Sequence, residues 1–205
     1  GRQWILRHTA TAVPPPALFA VRCNPMSDKT SLRAAARAAR AAFVAAPHPP
    51  IRVDARFVAL LSPRMIVASY VPIGSEADPA PLEQAALAAG CTLALPHVVD
   101  RATPLSFLRW TPGSTLQSGP FGLRQPEHDD TPVAPDVVLT PLVAFDRALN
   151  RLGQGAGHYD RAFETFPQAL RIGVAWSVQR IDGLSADPWD VPLHAVATEL
   201  EWITA

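Results

Sequence analysis

The chain has 205 residues and a mass of 22.0 kDa, with 18 basic residues, 18 acidic residues and 48% apolar side chains. That length fits one domain, and the apolar fraction excludes a disordered or coiled-coil chain. The zero formal charge excludes recognition driven mainly by electrostatics, so neither nucleic acid nor an anionic membrane face is an expected partner. Cys23 and Cys91 are too few for a disulfide framework, and no Cys/His cluster points to structural zinc. No apolar run approaches a bilayer span, so a cytoplasmic globular protein is expected.

Residues 1–25 contain Arg2, Arg7 and Arg22, no acid, and Pro14-Pro15-Pro16. They lack helical patterning and are expected to be an N-terminal extension, disordered or non-native, ahead of a start at Met26. A single domain is expected over 26–205. Ser27-Asp28 offers an N-cap for a helix that runs toward Ala46 and stops at Pro47. Leu32, Ala36, Ala39 and Phe43 share one face of it, and Lys29, Arg33, Arg37 and Arg40 an adjacent stripe. Such a stripe is ordinarily solvated. Lys29 nevertheless stands in the first turn, where the helix dipole disfavours a cation by about 0.3–1 kcal/mol, and it is the sole Lys among the 18 basic residues.

A short helix is expected over Val53–Leu61, a strand over Met65–Val71, a helix over Pro81–Ala89 ended by Gly90, and a strand over Cys91–Leu95. Strand, helix, strand with short connections is a βαβ unit with parallel pairing. Further strands are expected at Pro104–Trp110, Asp136–Thr140, Arg171–Trp176, His194–Thr198 and Glu201–Ile203, with a helix over Arg161–Phe166. Thr111–Pro135 is rich in loop-forming residues, and its Glu127-His128-Asp129-Asp130 run reads as solvated. The alternation predicts an α/β fold of three layers, a mostly parallel central sheet flanked by helices.

The chemistry concentrates in Arg151-Leu152-Gly153-Gln154-Gly155-Ala156-Gly157-His158-Tyr159-Asp160-Arg161. Glycines at alternate positions before a helix let successive backbone N–H groups approach an anion, although the same pattern serves a plain turn. The segment is neither a Walker A loop nor a dinucleotide fingerprint. Arg151 before it and Asp160-Arg161 after it put cations and a carboxylate beside a phosphate, and phosphate with one or two acids is the usual setting for Mg²⁺. Asp160 reads alternatively as a cap of the following helix.

Pro141–Arg161 resembles the signature of the 5-formyltetrahydrofolate cyclo-ligase (methenyltetrahydrofolate synthetase) family, whose pattern is roughly P-x-x-x-F-D-x-x-G-x-R-L-G-x-G-x-G-[FY]-Y-D. The resemblance extends to the K-x-x-L-R opening at Lys29–Arg33, to Y-x-P-x-x-x-E at Tyr70–Glu76, and to D-x-P-x-[DH]-x-x-x-T-E at Asp190–Glu199. It implies closure of 5-formyltetrahydrofolate to 5,10-methenyltetrahydrofolate with ATP and Mg²⁺. The formyl oxygen is phosphorylated, N10 attacks the iminium phosphate, and phosphate leaves.

The resemblance further implies that Lys29, Arg33, Arg151, Leu152, Gly153, Gln154, Gly155, Ala156, Gly157, His158 and Tyr159 hold ATP, with Lys29, Arg151 and Tyr159 catalytic. Val71, Glu76 and Tyr159 would line the folate site, and Asp160 and Asp190 would hold the metal. A monomer acting on two small molecules is expected. Ala156, His158, Asn150 with Leu149, Gln125 and His194 depart from the family's usual residues. Two other readings remain: a non-catalytic nucleotide- or folate-binding relative, and a sugar-phosphate enzyme of related fold.

Overall fold

The computed structural model describes residues 28–127 and 131–205. The expected extension over 1–25, Ser27 and the His128-Asp129-Asp130 run lie outside the described residues. The chain opens with α1 (Lys29–Val44) and α2 (Ala55–Leu60), followed by β1 (Ile66–Ala68), α3 (Ala80–Ala88), β2 (Thr92–His97) and β3 (Ser106–Trp110). Two short strands, β4 (Gln117–Ser118) and β5 (Arg124–Gln125), pair with each other before β6 (Val137–Pro141). A hairpin of β7 (Ala144–Phe145) and β8 (Arg151–Leu152) leads to α4 (His158–Thr165), β9 (Leu170–Val174), β10 (Ala195–Ala197) and β11 (Trp202–Ile203).

The main sheet has seven strands in the order β11-β10-β9-β6-β1-β2-β3. Five are mutually parallel, and β3 and β11 close the edges antiparallel. The expected βαβ unit is present: β1 and β2 pair in parallel with Ile66 opposite Thr92, and α3 makes the crossover. Gly90 follows α3 with φ +81°, the left-handed conformation that ends a helix. The central strands are apolar on both faces, as parallel strands covered on both sides must be. Val137 and Leu139 face a core shared with Phe57, Leu82 and Ala86. Val138 faces the opposite one, shared with Phe107, Ala162 and Phe163. Helices α2 and α3 thus cover one face and α4 the other, giving the three expected layers. Burial of each Val, Leu or Phe among these stabilises the fold by about 1.5–3 kcal/mol.

Beside β1 the chain order reverses, with β2 on one side and β6 on the other. In open α/β sheets such a reversal leaves a crevice at the carboxyl ends of the strands, where ligands bind. The turn bearing Glu76 follows β1, and the β7–β8 hairpin with its Gly-rich loop follows β6. Helix α1 packs Leu32 and Ala36 against Val143, Ala144 and Leu152 of that hairpin, which brings the basic stripe beside the loop.

Two local expectations are corrected. Asp28 occupies the N-cap position of α1, but its side chain accepts no capping hydrogen bond. Helix α4 begins at His158, three residues earlier than expected, with Gly157 as its N-cap at φ +68°. Asp160 is therefore inside the first turn and is not the cap, a position where the helix dipole favours a carboxylate.

Candidate functional site

The Gly-rich loop forms one wall of a cavity of about 490 Å³ lined by every residue from Arg151 to Arg161, with Lys29 and Arg33 from α1 and Asp187, Trp189 and Asp190 from the segment before β10. Gly155, at φ +107°, and Gly157 let the loop fold back on itself. A side chain at either would be strained. The sequence-derived nucleotide residues Lys29, Arg33 and Arg151 through Tyr159 are thus gathered on one cavity.

The basic stripe of α1 is tied down along its length, although Arg37 stays exposed. Lys29 Nζ donates to Asp187 Oδ2 at 2.5 Å and to Asp190 Oδ2 at 3.1 Å. Arg33 Nε donates to the Gly153 carbonyl at 2.9 Å, and Arg37 Nη2 to Gln154 Oε1 at 2.5 Å. Arg40 is buried and donates to Ser75 Oγ and the Leu142 carbonyl. One helix face therefore splints the loop, the hairpin and the Glu76 turn. Burial pulls the Lys29 ammonium down in pKa, but its hydrogen bonds to Asp187 and Asp190 prevail and the net shift is upward. Lys29 does stand in the first turn of α1, which has no acid of its own there, and Asp187 and Asp190 offset the unfavourable position from elsewhere in the chain.

Across the loop, Arg151 Nη2 donates to Asp160 Oδ1 at 2.5 Å, with side chains only 6% and 19% exposed. The Arg151 guanidinium also lies 5.2 Å from the Phe163 ring centre. The Val191 N–H lies 3.5 Å from the same Asp160 oxygen, so Asp160 and Asp190 belong to adjoining backbone. Among the described residues no three His, Cys, Asp or Glu side chains gather into a ready-made metal cage. Asp160 and Asp190 on this cavity wall instead fit a hard cation that completes its shell with phosphate oxygens and water. Counting side chains on the wall, Lys29, Arg33, Arg151 and Arg161 balance Asp160, Glu164, Asp187 and Asp190.

Tyr159 is half-buried and packs against the second core. Burial, helped by the nearby Glu76 carboxylate, raises its phenol, so it is a neutral hydrogen-bonding group at physiological pH. Glu76 accepts the Ile73 N–H at 3.0 Å and Gln154 Nε2 at 3.1 Å, and so joins the turn after β1 to the Gly-rich loop. It also lines a second cavity of about 500 Å³ walled by His48, Ile51, Pro72 and Trp176. Val71 lies half-buried between β1 and this turn and lines neither cavity. Trp176 is buried, donates to the Ser75 carbonyl and meets Phe43 and His48 edge-on or tilted.

Local contacts account for His158, His194 and Gln125 among the family departures, and nothing in the structure explains Ala156 or Leu149 with Asn150. His158 lies near the Phe121 ring, with Nδ1 facing Arg161 Nη2 at 3.1 Å. Burial, then the positive charges of Arg161 and Arg101, lower its pKa and keep it neutral. His194 Nδ1 accepts the Arg171 N–H at 2.9 Å, as a carboxylate there could. Buried Gln125 pairs with one backbone unit, accepting the Val98 N–H at 3.0 Å and donating to the Val98 carbonyl at 3.3 Å. The Ala156 carbonyl accepts Arg161 Nη1. Leu149, adjacent to Asn150, adopts φ +63° yet is buried.

Asp187 was not among the sequence-derived site residues. Its signal is the Asp187-Pro188-Trp189-Asp190 turn, in which Asp187 N–H donates to Asp190 Oδ2 and Asp190 N–H to the Asp187 carbonyl. Glu199 closes the last matched motif, but it serves the fold: it accepts the Ser177 N–H at 2.9 Å and the Ser177 hydroxyl.

Fold and site together define an α/β protein with a Gly-rich loop, flanked by cations and carboxylates, at the crevice of its parallel sheet. The 5-formyltetrahydrofolate cyclo-ligase family model matches residues 25–199, and the chain belongs to that family. A 5-formyltetrahydrofolate cyclo-ligase of Haemophilus influenzae is 38% identical over 98 residues, 45% of this chain and 52% of that one, so the match spans about half its length. The Escherichia coli K12 enzyme of the same name is 35% identical over 139 residues, 64% of this chain and 76% of that protein. The NMR structure of Aquifex aeolicus 5,10-methenyltetrahydrofolate synthetase superposes with a TM-score of 0.63 at 29% identity, covering 86% of this chain and 92% of that one.

Proposed function

We propose that this protein closes 5-formyltetrahydrofolate to 5,10-methenyltetrahydrofolate, consuming ATP with Mg²⁺ and giving ADP and phosphate. The observation that supports this best is the convergence of Lys29, Arg33 and Arg151 on the Gly-rich loop together with Asp160 and Asp190. A formamide oxygen leaves poorly and a phosphate leaves well. The formyl oxygen takes the terminal phosphoryl group as ADP departs. N10 then bonds to the formyl carbon, the C–O bond to phosphate breaks, and the N10 proton is released. The protein's part is to position reactants and neutralise charge.

In this reading loop amides, Lys29 and Arg33 bind the polyphosphate, and Arg151 stabilises charge at the transferring group. Asp160 and Asp190 hold Mg²⁺, which screens the phosphate oxygens when bound. Val71, Glu76 and Tyr159 receive the folate, with Glu76 linking the second cavity to the Gly-rich loop through Gln154. Neutral Tyr159 donates a hydrogen bond and is not a base. The balanced charge of the cavity wall favours a nucleotide that arrives with its cation, since free ATP would meet four carboxylates as well as four cations.

Incubation of the protein with 5-formyltetrahydrofolate, ATP and Mg²⁺ tests this: methenyl product should accumulate, as followed by its near-ultraviolet absorbance, and should vanish when ATP or Mg²⁺ is withheld. Nucleotide binding without product would leave the non-catalytic reading in its place.

A further inference from the structure

We infer that Asp187 is a positioning residue of the nucleotide site, holding the Lys29 ammonium so that Asp190 keeps a carboxylate oxygen for a divalent cation. The inference rests on the nucleotide-dependent function above and adds a residue outside the resemblance-derived set. An ammonium has three N–H donors. Lys29 commits one to Asp187 at 2.5 Å and one to Asp190 at 3.1 Å, which fixes its direction and leaves the third for a phosphate oxygen.

Both contacts use the Oδ2 atoms, and Asp190 Oδ2 also accepts the Asp187 N–H at 2.8 Å. The return bond from Asp190 N–H to the Asp187 carbonyl, 2.9 Å, makes the two carboxylates one rigid unit. One ammonium therefore faces two carboxylates, and the cluster keeps one negative charge. At Arg151–Asp160 the charges match one to one. The surplus is shared by the pair, and Asp190, which takes both the Lys29 ammonium and the Asp187 N–H on Oδ2, has an Oδ1 engaged by no hydrogen bond among the described residues. Loss of the Asp187 charge would draw Lys29 wholly onto Asp190 and cancel that surplus. Asp187 is thus an outer partner that keeps the cluster around the metal-facing carboxylate net negative, a kind of residue whose loss commonly weakens metal binding 10–100-fold.

The test is calorimetric binding of ADP to the full chain across a Mg²⁺ titration, without folate, for wild type, Asp187→Asn and Asp187→Glu. Asp187→Asn should raise the Mg²⁺ concentration for half-maximal ADP binding about tenfold or more. Its melting temperature should stay close to wild type, because the Lys29 pair is a third exposed. Asp187→Glu should restore most of the loss. In turnover, Asp187→Asn should raise the KM for Mg·ATP and leave kcat at saturation near wild type. An unchanged Mg²⁺ midpoint in Asp187→Asn overturns the assignment, and so does a loss that tracks melting temperature and is equal in both variants. A wild type that binds Mg·ADP yet forms no methenyl product refutes the proposed function alone. A wild type that does not bind Mg·ADP refutes both.

Discussion

The Arg151 guanidinium and the Asp160 carboxylate meet at 2.5 Å at the two ends of the Gly-rich loop, nine residues apart in sequence. The pair closes the loop as a clasp and places an acid on a cavity wall shared by four cations and four carboxylates. Because Arg151 is nearly buried, Asp160 serves both the fold and the site. Asp160→Asn is close to isosteric and leaves the guanidinium without its counter-charge. It should cost about 1–3 kcal/mol of stability and at least a hundredfold in kcat/KM, with excess Mg²⁺ restoring only part. Chemical denaturation and a magnesium titration of turnover check both halves. Wild-type values in both would show that neither the fold nor the site depends on the Asp160 charge.

Lys29→Ala removes the ammonium that joins α1 to the Asp187–Asp190 turn. These are partly exposed pairs, so the stability loss should stay within about 1 kcal/mol, and the sign is destabilising because two carboxylates are left facing one another. The KM for ATP should rise at least tenfold. Lys29→Arg should recover the stability but little of the KM, since a planar fork does not replace a compact ammonium between two acids and a phosphate. Melting temperatures beside ATP titrations of both variants decide this, and a stabilised Lys29→Ala would contradict it.

His158 is held neutral by burial and by the charges of Arg161 and Arg101. Its folded pKa lies below its unfolded value near 6.5, so in the window between them the unfolded chain binds more protons and stability rises with pH. His158 therefore weakens the fold as pH falls below about 6.5. His158→Phe, the residue type common at this place in the family pattern, should flatten the loss of stability between pH 7 and pH 5.5. Some slope should remain from His194, likewise lowered, by burial and then by Arg171. Denaturation midpoints at several pH values measure the difference, and parallel curves for the two proteins would show that His158 is protonated alike in both states.

Gln125 stands where the family commonly carries Glu, and its geometry says why an amide belongs here. The side chain mimics a strand, accepting and donating to the same Val98 backbone unit. Gln125→Glu would replace the donor with an oxygen facing a carbonyl in a buried position, and should cost about 1–3 kcal/mol. The midpoint of urea unfolding reports it, and an unchanged midpoint would place the carboxylate on another partner.

The large features were legible because they rest on strong periodicity and punctuation. The βαβ unit, the parallel strands and the cavity around the Gly-rich loop follow from apolar runs, Gly90 and the spaced glycines. The two-residue hairpins β4–β5 and β7–β8 were not legible, since so short a strand has no period. The fate of the basic stripe was also hidden. Arg37 and Arg40 look like any solvated helix face until the fold brings Gln154, Ser75 and the Leu142 carbonyl against them. Leu149 shows the same limit: a Leu at φ +63° contradicts local preference, and its burial in the core is what holds it there.

The central claim is that Mg·ATP in the Gly-rich cavity drives closure of 5-formyltetrahydrofolate. The most direct measurement is a single time course in which methenyl absorbance and phosphate release are followed together, for wild type and for Asp160→Asn. The account predicts one phosphate released per methenyl group formed in the wild type, no product without ATP or without Mg²⁺, and a strongly reduced rate in the variant. Phosphate release unaccompanied by methenyl product, or product formed at the same rate without ATP, would contradict it.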